Sequence, residues 1–278
     1  MAWGSKTLLG ELMNFRLRML AAVWLLCCAC AAFGQETPEG RLMRFPDIHG
    51  DKIVFSYAGD IWLVSSAGGV ARRVTTHPGL ELFPKFSPDG KWIAFTAQYD
   101  GNSNVYVMPA EGGQPKQLTF HWGGVHESER MGPDNEVLNW FPDSQRILFM
   151  SRRDTYNTWF GRPYVVSIDG GLPTPLPIDK GGLTSFSPDG SKMAYNRIFR
   201  NFRTWKRYQG GMAQDIWIYD FKANQIGQMP HEDWTDTFPM WHGDTIYFSS
   251  DRGTGHRFNL YSYSLKTREI RQLTTFTE

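Results

Sequence analysis

The chain has 278 residues, with 29 Lys and Arg against 28 Asp and Glu, and 41% of its residues are hydrophobic. This length suits one large domain or two small ones, and the composition excludes a disordered or collagen-like chain. The near-neutral charge argues against a general nucleic-acid or membrane-surface binder, which needs a basic excess.

Residues 1–34 have the pattern of a secretory signal peptide. Lys6, Arg16 and Arg18 precede an uncharged apolar run over residues 19–33, which is shorter than the ~20 residues of a membrane-spanning helix. Cleavage before Gln35 predicts an exported, periplasmic protein, or a cytoplasmic one if the leader is not used. The alternatives are an uncleaved membrane anchor and a lipoprotein signal at Cys30, although the usual Leu of a lipobox is missing.

All three cysteines, Cys27, Cys28 and Cys30, lie in this leader. Residues 35–278 therefore predict a mature domain with no disulfide and no cysteine-based metal site. We also expect no membrane contact once the leader is cleaved. With 28 Gly, 16 Pro and 15% aromatic residues, the composition indicates many strands joined by tight turns.

One pattern recurs along the mature sequence: a Pro-Asp-Gly-like turn, an apolar strand, a polar gap, a second strand, a Gly-rich turn and a third strand. The five copies begin at the turns Gly50-Asp51, Ser87–Gly90, Pro142–Ser144, Ser187–Gly190 and Trp241–Asp244. The pairs Gly68-Gly69, Gly112-Gly113 and Gly170-Gly171 are interpreted as hairpin turns at matching positions.

Repeats of ~40–50 residues with about four short strands each are typical of β-propeller blades. The spacings from turn to turn run from 40 to 54 residues. The sequence therefore predicts an all-β fold, a β-propeller of four-stranded antiparallel blades over residues 35–278. Five blades are visible, and because the chain ends at Glu278 directly after a strand, we expect a six-bladed propeller that lacks its last blade and any downstream domains.

The sequence contains no pattern that predicts a catalytic residue, a metal site or a cofactor. Residues 101–105 lack the second Gly of a Gly-x-Ser-x-Gly nucleophile motif and indicate a polar hairpin loop. His121 and His126, with Glu127 and Glu129, are the cluster closest to a metal-binding pattern. Their His spacing of five does not match the helical zinc motif and favours a loop.

The stretch RIFRNFRTWKRY, residues 197–208, interleaves five basic and four aromatic residues. Arg200, Arg203, Lys206 and Arg207 are candidates for binding acidic groups or terminal carboxylates of peptides through charge-assisted hydrogen bonds. A nucleic-acid surface with base stacking is one alternative. The other is that the aromatic rings pack between blades while the basic side chains lie along the surface.

The Ser-Pro-Asp-Gly repeat with a following Asp-Ile-Trp is similar to TolB-like propellers, among them those of prolyl-oligopeptidase-type enzymes. Two stretches resemble the tricorn protease family more specifically. They are PDIHGDKIVF at residues 46–55, followed by Asp60-Ile61-Trp62, and WKRYQGG at residues 205–211, before Asp215-Ile216-Trp217. The resemblance extends from about residue 42 to TTFTE at the end of the chain.

Tricorn-family proteins are large serine peptidases that trim oligopeptides, with two propellers, a PDZ module and a catalytic core of the tail-specific type. The resemblance implies that this chain is the non-catalytic N-terminal propeller of an exported peptidase, which gates or docks oligopeptides for downstream domains of the same polypeptide. The resemblance leaves open whether the protein forms a homo-oligomer. The alternatives are a free-standing TolB-like periplasmic propeller that scaffolds protein complexes, and the propeller of a prolyl-oligopeptidase-type enzyme.

Overall fold

The computed structural model describes residues 42–121, 132–155, 160–198, 208 and 210–277. These residues belong to one compact unit, Leu42–Glu278, and form twenty strands in five four-stranded sheets. Each sheet is an antiparallel meander, in which every strand pairs with the next strand along the chain. No helix occurs in the described ranges, and in particular none that is long and apolar enough to cross a membrane.

The five sheets, blades 1 to 5, follow each other in chain order. Blade 1 contains β1 (Arg44–His49), β2 (Lys52–Tyr57), β3 (Asp60–Ser65) and β4 (Arg72–Arg73). Blade 2 contains β5 (Glu81–Phe86), β6 (Trp92–Ala97), β7 (Asn104–Pro109) and β8 (Lys116–Gln117). Blade 3 contains β9 (Asn135–Trp140), β10 (Arg146–Ser151), β11 (Arg162–Ser167) and β12 (Gly170–Pro175).

The last two blades have the same order of strands. Blade 4 contains β13 (Thr184–Phe186), β14 (Lys192–Asn196), β15 (Ile216–Asp220) and β16 (Gln225–Gln228). Blade 5 contains β17 (Asp236–His242), β18 (Thr245–Ser250), β19 (Asn259–Ser264) and β20 (Ile270–Gln272). The predicted propeller of four-stranded antiparallel blades is confirmed, with five blades in a ring.

The Ser-Pro-Asp-Gly turns join the first two strands of a blade by the same hydrogen bonds each time. In blade 2 the Ser87 hydroxyl donates to Asp89 Oδ1 at 2.6 Å and accepts from the Trp92 N–H at 3.0 Å. Gly90 takes a positive φ of 70°, a conformation that costs an L residue energy because of its Cβ. Blade 4 repeats this arrangement around Ser187.

One predicted turn differs from its expected position. Gly170 and Gly171 are the first two residues of β12 rather than the turn itself, and Gly170 pairs with Ser167. Ile168 and Asp169 therefore make a two-residue hairpin loop. Gly68-Gly69 and Gly112-Gly113, by contrast, lie outside strands as expected. The outer strand β12 of blade 3 thus begins at its Gly pair, whereas the outer strands β4 and β8 begin after theirs. The difference arises because Gly170 already pairs with Ser167 across the hairpin.

The core lies between the blades, in four apolar clusters that join consecutive sheets. Representative pairs are Ile61 and Phe95 between blades 1 and 2, Val105 and Phe149 between blades 2 and 3, Leu148 and Tyr195 between blades 3 and 4, and Ala194 and Phe248 between blades 4 and 5. Each large side chain fully buried in this way contributes roughly 1.5–3 kcal/mol. Within the described residues, no cluster of this kind joins blade 5 to blade 1. The sixth blade stays a prediction.

Candidate functional site

The innermost strands of all five blades meet at a central cavity of about 570 Å³. At one level of this cavity every blade contributes an apolar side chain from an equivalent position of its first strand or just before it. We call these five residues the channel ring: Phe45, Phe83, Val137, Leu183 and Phe238. Pro46, Leu138 and Met240 extend the apolar wall on either side of the ring.

Three members of the channel ring adopt a backbone conformation that is rare for their residue type. Phe45, Phe83 and Phe238 have φ values of 53°, 54° and 55°, in the left-handed region. This conformation costs an L residue roughly 1–2 kcal/mol. Each Phe lies at a bulge in the pairing of its strand with the next strand, and each precedes a Pro. Because Pro has no N–H for the ladder, it is tolerated at bulges and edge strands.

The rings of Phe45 and Phe83 pack against each other, with their centroids 4.1 Å apart. Phe83 is buried, whereas Phe238 and Met240 on the opposite side of the cavity are 53% and 48% exposed. On one side of the cavity, therefore, the Phe45 and Phe83 rings pack together. On the other side, Phe238 and Met240 form an apolar wall that solvent can reach.

The charged side chains of the cavity are few. Lys85 Nζ lies 3.2 Å from Asp47 Oδ1, an ion pair that joins blades 1 and 2. Glu136 is almost completely buried in the wall. Arg44 is exposed at the start of β1 and forms no ion pair with a carboxylate of the described residues. The cavity thus combines an apolar lining with one accessible cation.

Polar contacts between consecutive innermost strands fix the geometry of the cavity. The Trp140 indole N–H donates to the Lys85 carbonyl at 2.9 Å, which ties blade 3 to blade 2. The Trp241 N–H donates to Ser185 Oγ at 2.8 Å, which ties blade 5 to blade 4. Hydrogen bonds of this type contribute about 1 kcal/mol each and orient the strands. Because these bonds fix the innermost strands, the apolar side chains of the channel ring keep their positions around the cavity.

A buried carboxyl group lies near the junction of blades 1 and 2. Glu81, the first residue of β5, is fully buried, and its Oε2 accepts a hydrogen bond from Thr75 Oγ1 at 2.7 Å. Burial raises the pKa of Glu81 from 4.5 to about 7, although hydrogen bonds from Thr75 and Tyr99 act in the opposite direction. Thr75 Oγ1 in turn accepts from the Ile61 N–H at 2.8 Å, so the carboxyl group links two blades.

In blades 3 and 5 an arginine that follows the second strand donates hydrogen bonds to the first residue of the first strand. In blade 5 the Arg252 guanidinium donates to Ser250 Oγ at 3.0 Å and to Asp236 Oδ2 at 2.6 Å, and it lies 5.2 Å from the centre of the Phe248 ring. Arg153 makes equivalent contacts in blade 3. Because these contacts join the end of the second strand to the start of the first strand, we assign both arginines a structural role.

The residues that the sequence predicts as peptide-binding, Arg200, Arg203, Lys206 and Arg207, lie outside the described residues. Their described neighbour Arg197 lies 3.3 Å from Asp179 Oδ2, and its guanidinium lies 5.0 Å from the centre of the Trp217 ring. The predicted signal peptide at residues 1–34 also lies outside the described ranges. For all of these residues the sequence-based predictions stand as predictions.

Ser103, in the loop at residues 101–105, and His121, from the His and Glu cluster, both take part in hydrogen bonds with backbone groups. The Ser103 hydroxyl accepts from the Asp134 N–H at 3.0 Å and ties blade 2 to blade 3. The His121 N–H donates to Asn104 Oδ1 at 3.0 Å, while His126, Glu127 and Glu129 lie outside the described residues. Among the residues that the structure does describe, no group of three or more His, Cys, Asp or Glu could hold a metal ion.

Comparison with known proteins yields matches over most of the chain. The family model of the tricorn protease N-terminal beta propeller domain matches residues 40–278. Tricorn protease homolog 1 of Streptomyces coelicolor is 33% identical over 235 residues, which cover 84% of this chain and 21% of that protein. The chain therefore spans about a fifth of the length of that protein, and likewise of the tricorn protease homolog of Saccharolobus solfataricus.

Solved structures with a similar fold include a tricorn protease and a putative TolB. The crystal structure of the tricorn protease superposes with a TM-score of 0.73 at 26% identity, over 85% of this chain and 22% of that one. A putative TolB from Agrobacterium tumefaciens superposes with a TM-score of 0.64 at 19% identity, over 83% of this chain and 80% of that one. At that identity the second likeness concerns the fold alone.

Proposed function

The chain belongs to the tricorn protease N-terminal beta propeller domain family, and from that premise we propose that it docks oligopeptides in its central cavity. In this proposal it is the non-catalytic propeller of an exported tricorn-like serine peptidase, and it presents peptides to a catalytic core on downstream domains. The observation that carries the proposal is the cavity of about 570 Å³, to which all five described blades contribute.

The dimensions and chemistry of the cavity support peptide docking. Ligand sites in proteins have volumes of roughly 300–1,000 Å³ and mostly apolar walls with a few placed polar groups. The channel ring supplies the apolar wall, and Arg44, Lys85 and Glu136 are the charged groups in the lining. The bonds between innermost strands hold this wall in place before a ligand arrives, which lowers the entropic cost of binding.

A binding assay on the full 278-residue chain tests the proposal. Fluorescein-labelled hexapeptides of mixed sequence are titrated with the wild type, with Leu183→Arg in the channel ring, and with Leu172→Arg on β12 as a matched control. Leu172 is 94% exposed on an outer strand. We expect fluorescence anisotropy to show binding by the wild type and the control, and a loss of affinity of about tenfold or more in Leu183→Arg.

Thermal unfolding checks that Leu183→Arg remains folded, and mass spectrometry of the peptides after incubation tests for cleavage. Intact peptides agree with a non-catalytic propeller, whereas reproducible cleavage by the purified chain would contradict it. Absence of binding to every peptide would contradict docking and favour a free-standing scaffold of the TolB-like kind.

A further inference from the structure

We propose that the channel ring binds a bulky apolar side chain of a peptide in which an acidic residue lies next to that side chain. This inference rests on the proposed function and adds the chemical class of peptide that the cavity selects. Its basis is the combination of an apolar wall with Arg44, which among the described residues of the lining is the basic residue without an ion-pair partner.

The wall is apolar at every blade. The five ring positions hold three Phe, one Val and one Leu, and none of these side chains can hydrogen-bond to a peptide backbone. A polar side chain placed against the ring would lose its water without gaining a partner from these five side chains, which disfavours binding. An aromatic or long aliphatic side chain would instead exchange water for contact with the ring.

The strained Phe residues point to a ligand site rather than to packing alone. The positive φ values of Phe45, Phe83 and Phe238 recur at the same position in three blades. Backbone strain of this kind persists where the surroundings enforce it, and it is concentrated at ligand-binding and active sites. Phe83 is buried against Phe45, whereas Phe238 is half exposed, as is Met240 two residues later. At Phe238 the strained backbone therefore presents apolar surface to the cavity instead of burying it.

The charge of Arg44 favours an acidic residue next to the apolar side chain of the peptide. Lys85 is already paired with Asp47, and Glu136 is buried within the wall. Arg44 keeps an exposed guanidinium on the lining of the cavity, with no ion pair to a described carboxylate. A carboxylate on the peptide, beside the residue held by the ring, would complete a charge-assisted pair with this guanidinium.

A peptide series with single changes tests the inference on the full chain. The probe is fluorescein-Gly-Gly-Glu-Phe-Gly-Gly-amide, compared with peptides that carry Ser in place of Phe, or Gln in place of Glu. We expect the Ser peptide to bind at least tenfold more weakly and the Gln peptide several-fold more weakly. In the protein, Arg44→Ala should abolish the preference for Glu over Gln and keep the preference for Phe over Ser.

A second pair of variants addresses the ring itself. Phe238→Ser should weaken the preference for Phe, while the conservative Phe238→Leu should retain it; both replace an exposed side chain, so the fold is expected to persist. If all three peptides bind equally well, or if Arg44→Ala leaves the preference for Glu intact, the inference is overturned while peptide docking stands. If no peptide binds, the proposed function fails together with the inference.

Discussion

The Asp47 carboxylate of blade 1 lies 3.2 Å from the Lys85 ammonium of blade 2, and its second oxygen accepts the Phe86 N–H at 2.8 Å. Both side chains are about three-quarters buried, so removal of either partner would leave a partly buried charge without its counter-ion. It connects the first strands of two blades beside the channel ring. We regard it as one of the contacts that fix the position of β1.

Asp47→Ala should therefore destabilise the protein. Removal of the carboxylate leaves a partly buried ammonium and a backbone N–H without their acceptor, and we expect a decrease of roughly 1–3 kcal/mol in the free energy of unfolding. Urea unfolding followed by tryptophan fluorescence measures this change. Asp244→Ala is the matched control, because Asp244 is 61% exposed and pairs only with Lys266 at the surface. A control that loses as much stability as Asp47→Ala would contradict this account.

Glu81 predicts a pH dependence of stability. Because its pKa is raised from 4.5 to about 7 in the folded protein, the unfolded chain releases this proton at lower pH than the folded protein does. Between pH 4.5 and about 7 the folded state therefore holds more protons, and the free energy of unfolding falls as the pH rises through this window. We expect Glu81 to lower the free energy of unfolding by roughly 1–3 kcal/mol over this window. Above about pH 7 the decrease is complete, because the carboxyl group is then ionised in both states.

Glu81→Gln removes the titrating proton but keeps a neutral acceptor for Thr75. The variant should lack this part of the pH dependence and should exceed the wild type in stability at pH 8. Glu269→Gln, an exposed position in blade 5, serves as the control and should follow the wild type at both pH 5 and pH 8. Parallel stability curves for the wild type and Glu81→Gln would show that Glu81 does not titrate in this window.

Gly90 predicts a steric effect at the boundary between blades 1 and 2. It has a positive φ of 70°, and a Cβ built there would lie 2.4 Å from His49 Nε2. Gly68→Ala introduces backbone strain at a φ of 89° without any neighbour within 4 Å, and Gly227→Ala introduces neither problem. We expect losses of stability in the order Gly90→Ala, Gly68→Ala, Gly227→Ala, with about 1–2 kcal/mol for the strain alone.

The double variant His49→Ala with Gly90→Ala separates the two causes. Because it removes the imidazole that the new methyl group would meet, it should recover part of the stability lost in Gly90→Ala. Thermal unfolding measures all four variants under one condition. An equal loss for Gly90→Ala and Gly227→Ala would contradict both the strain and the contact.

The leader predicts export. Fusion of alkaline phosphatase, which is active only in an oxidising compartment, after residue 278 should give an active enzyme in a bacterial host. The replacement of Leu25 and Leu26 by Arg should abolish that activity, because it interrupts the apolar run of the signal peptide. Activity that survives this double replacement would contradict export through this segment.

The blades could be predicted from the sequence because their signals are local. Turns such as Ser87–Gly90 combine a hydroxyl, a carboxylate and a Gly at fixed offsets, and each is followed by an apolar strand. The same repeat pattern predicts a turn at Gly170-Gly171, by analogy with the other copies. There it was wrong, because the start of an outer strand depends on pairing with its neighbour, which the repeat pattern does not specify.

The candidate site could not be predicted in the same way. The pairs Phe45-Pro46, Phe83-Pro84 and Phe238-Pro239 occupy matching positions in three repeats, and this signal was present in the sequence. The meaning of this signal depends on the bulges and on the arrangement of the five sheets around one cavity. That arrangement brings residues almost 200 positions apart to the same site. The pKa of Glu81 depends likewise on burial between blades.

A photo-crosslinking experiment tests peptide docking in the channel most directly. A hexapeptide that carries benzoylphenylalanine in the apolar position is irradiated with the full chain, and the adduct is located by mass spectrometry. We expect it on the innermost strands, with Met240 of β17 as the principal site, because this side chain lines the cavity and is 48% exposed. Adducts confined to the outer strands β4, β8, β12, β16 or β20, or no adduct under conditions in which the peptide is bound, would contradict the account.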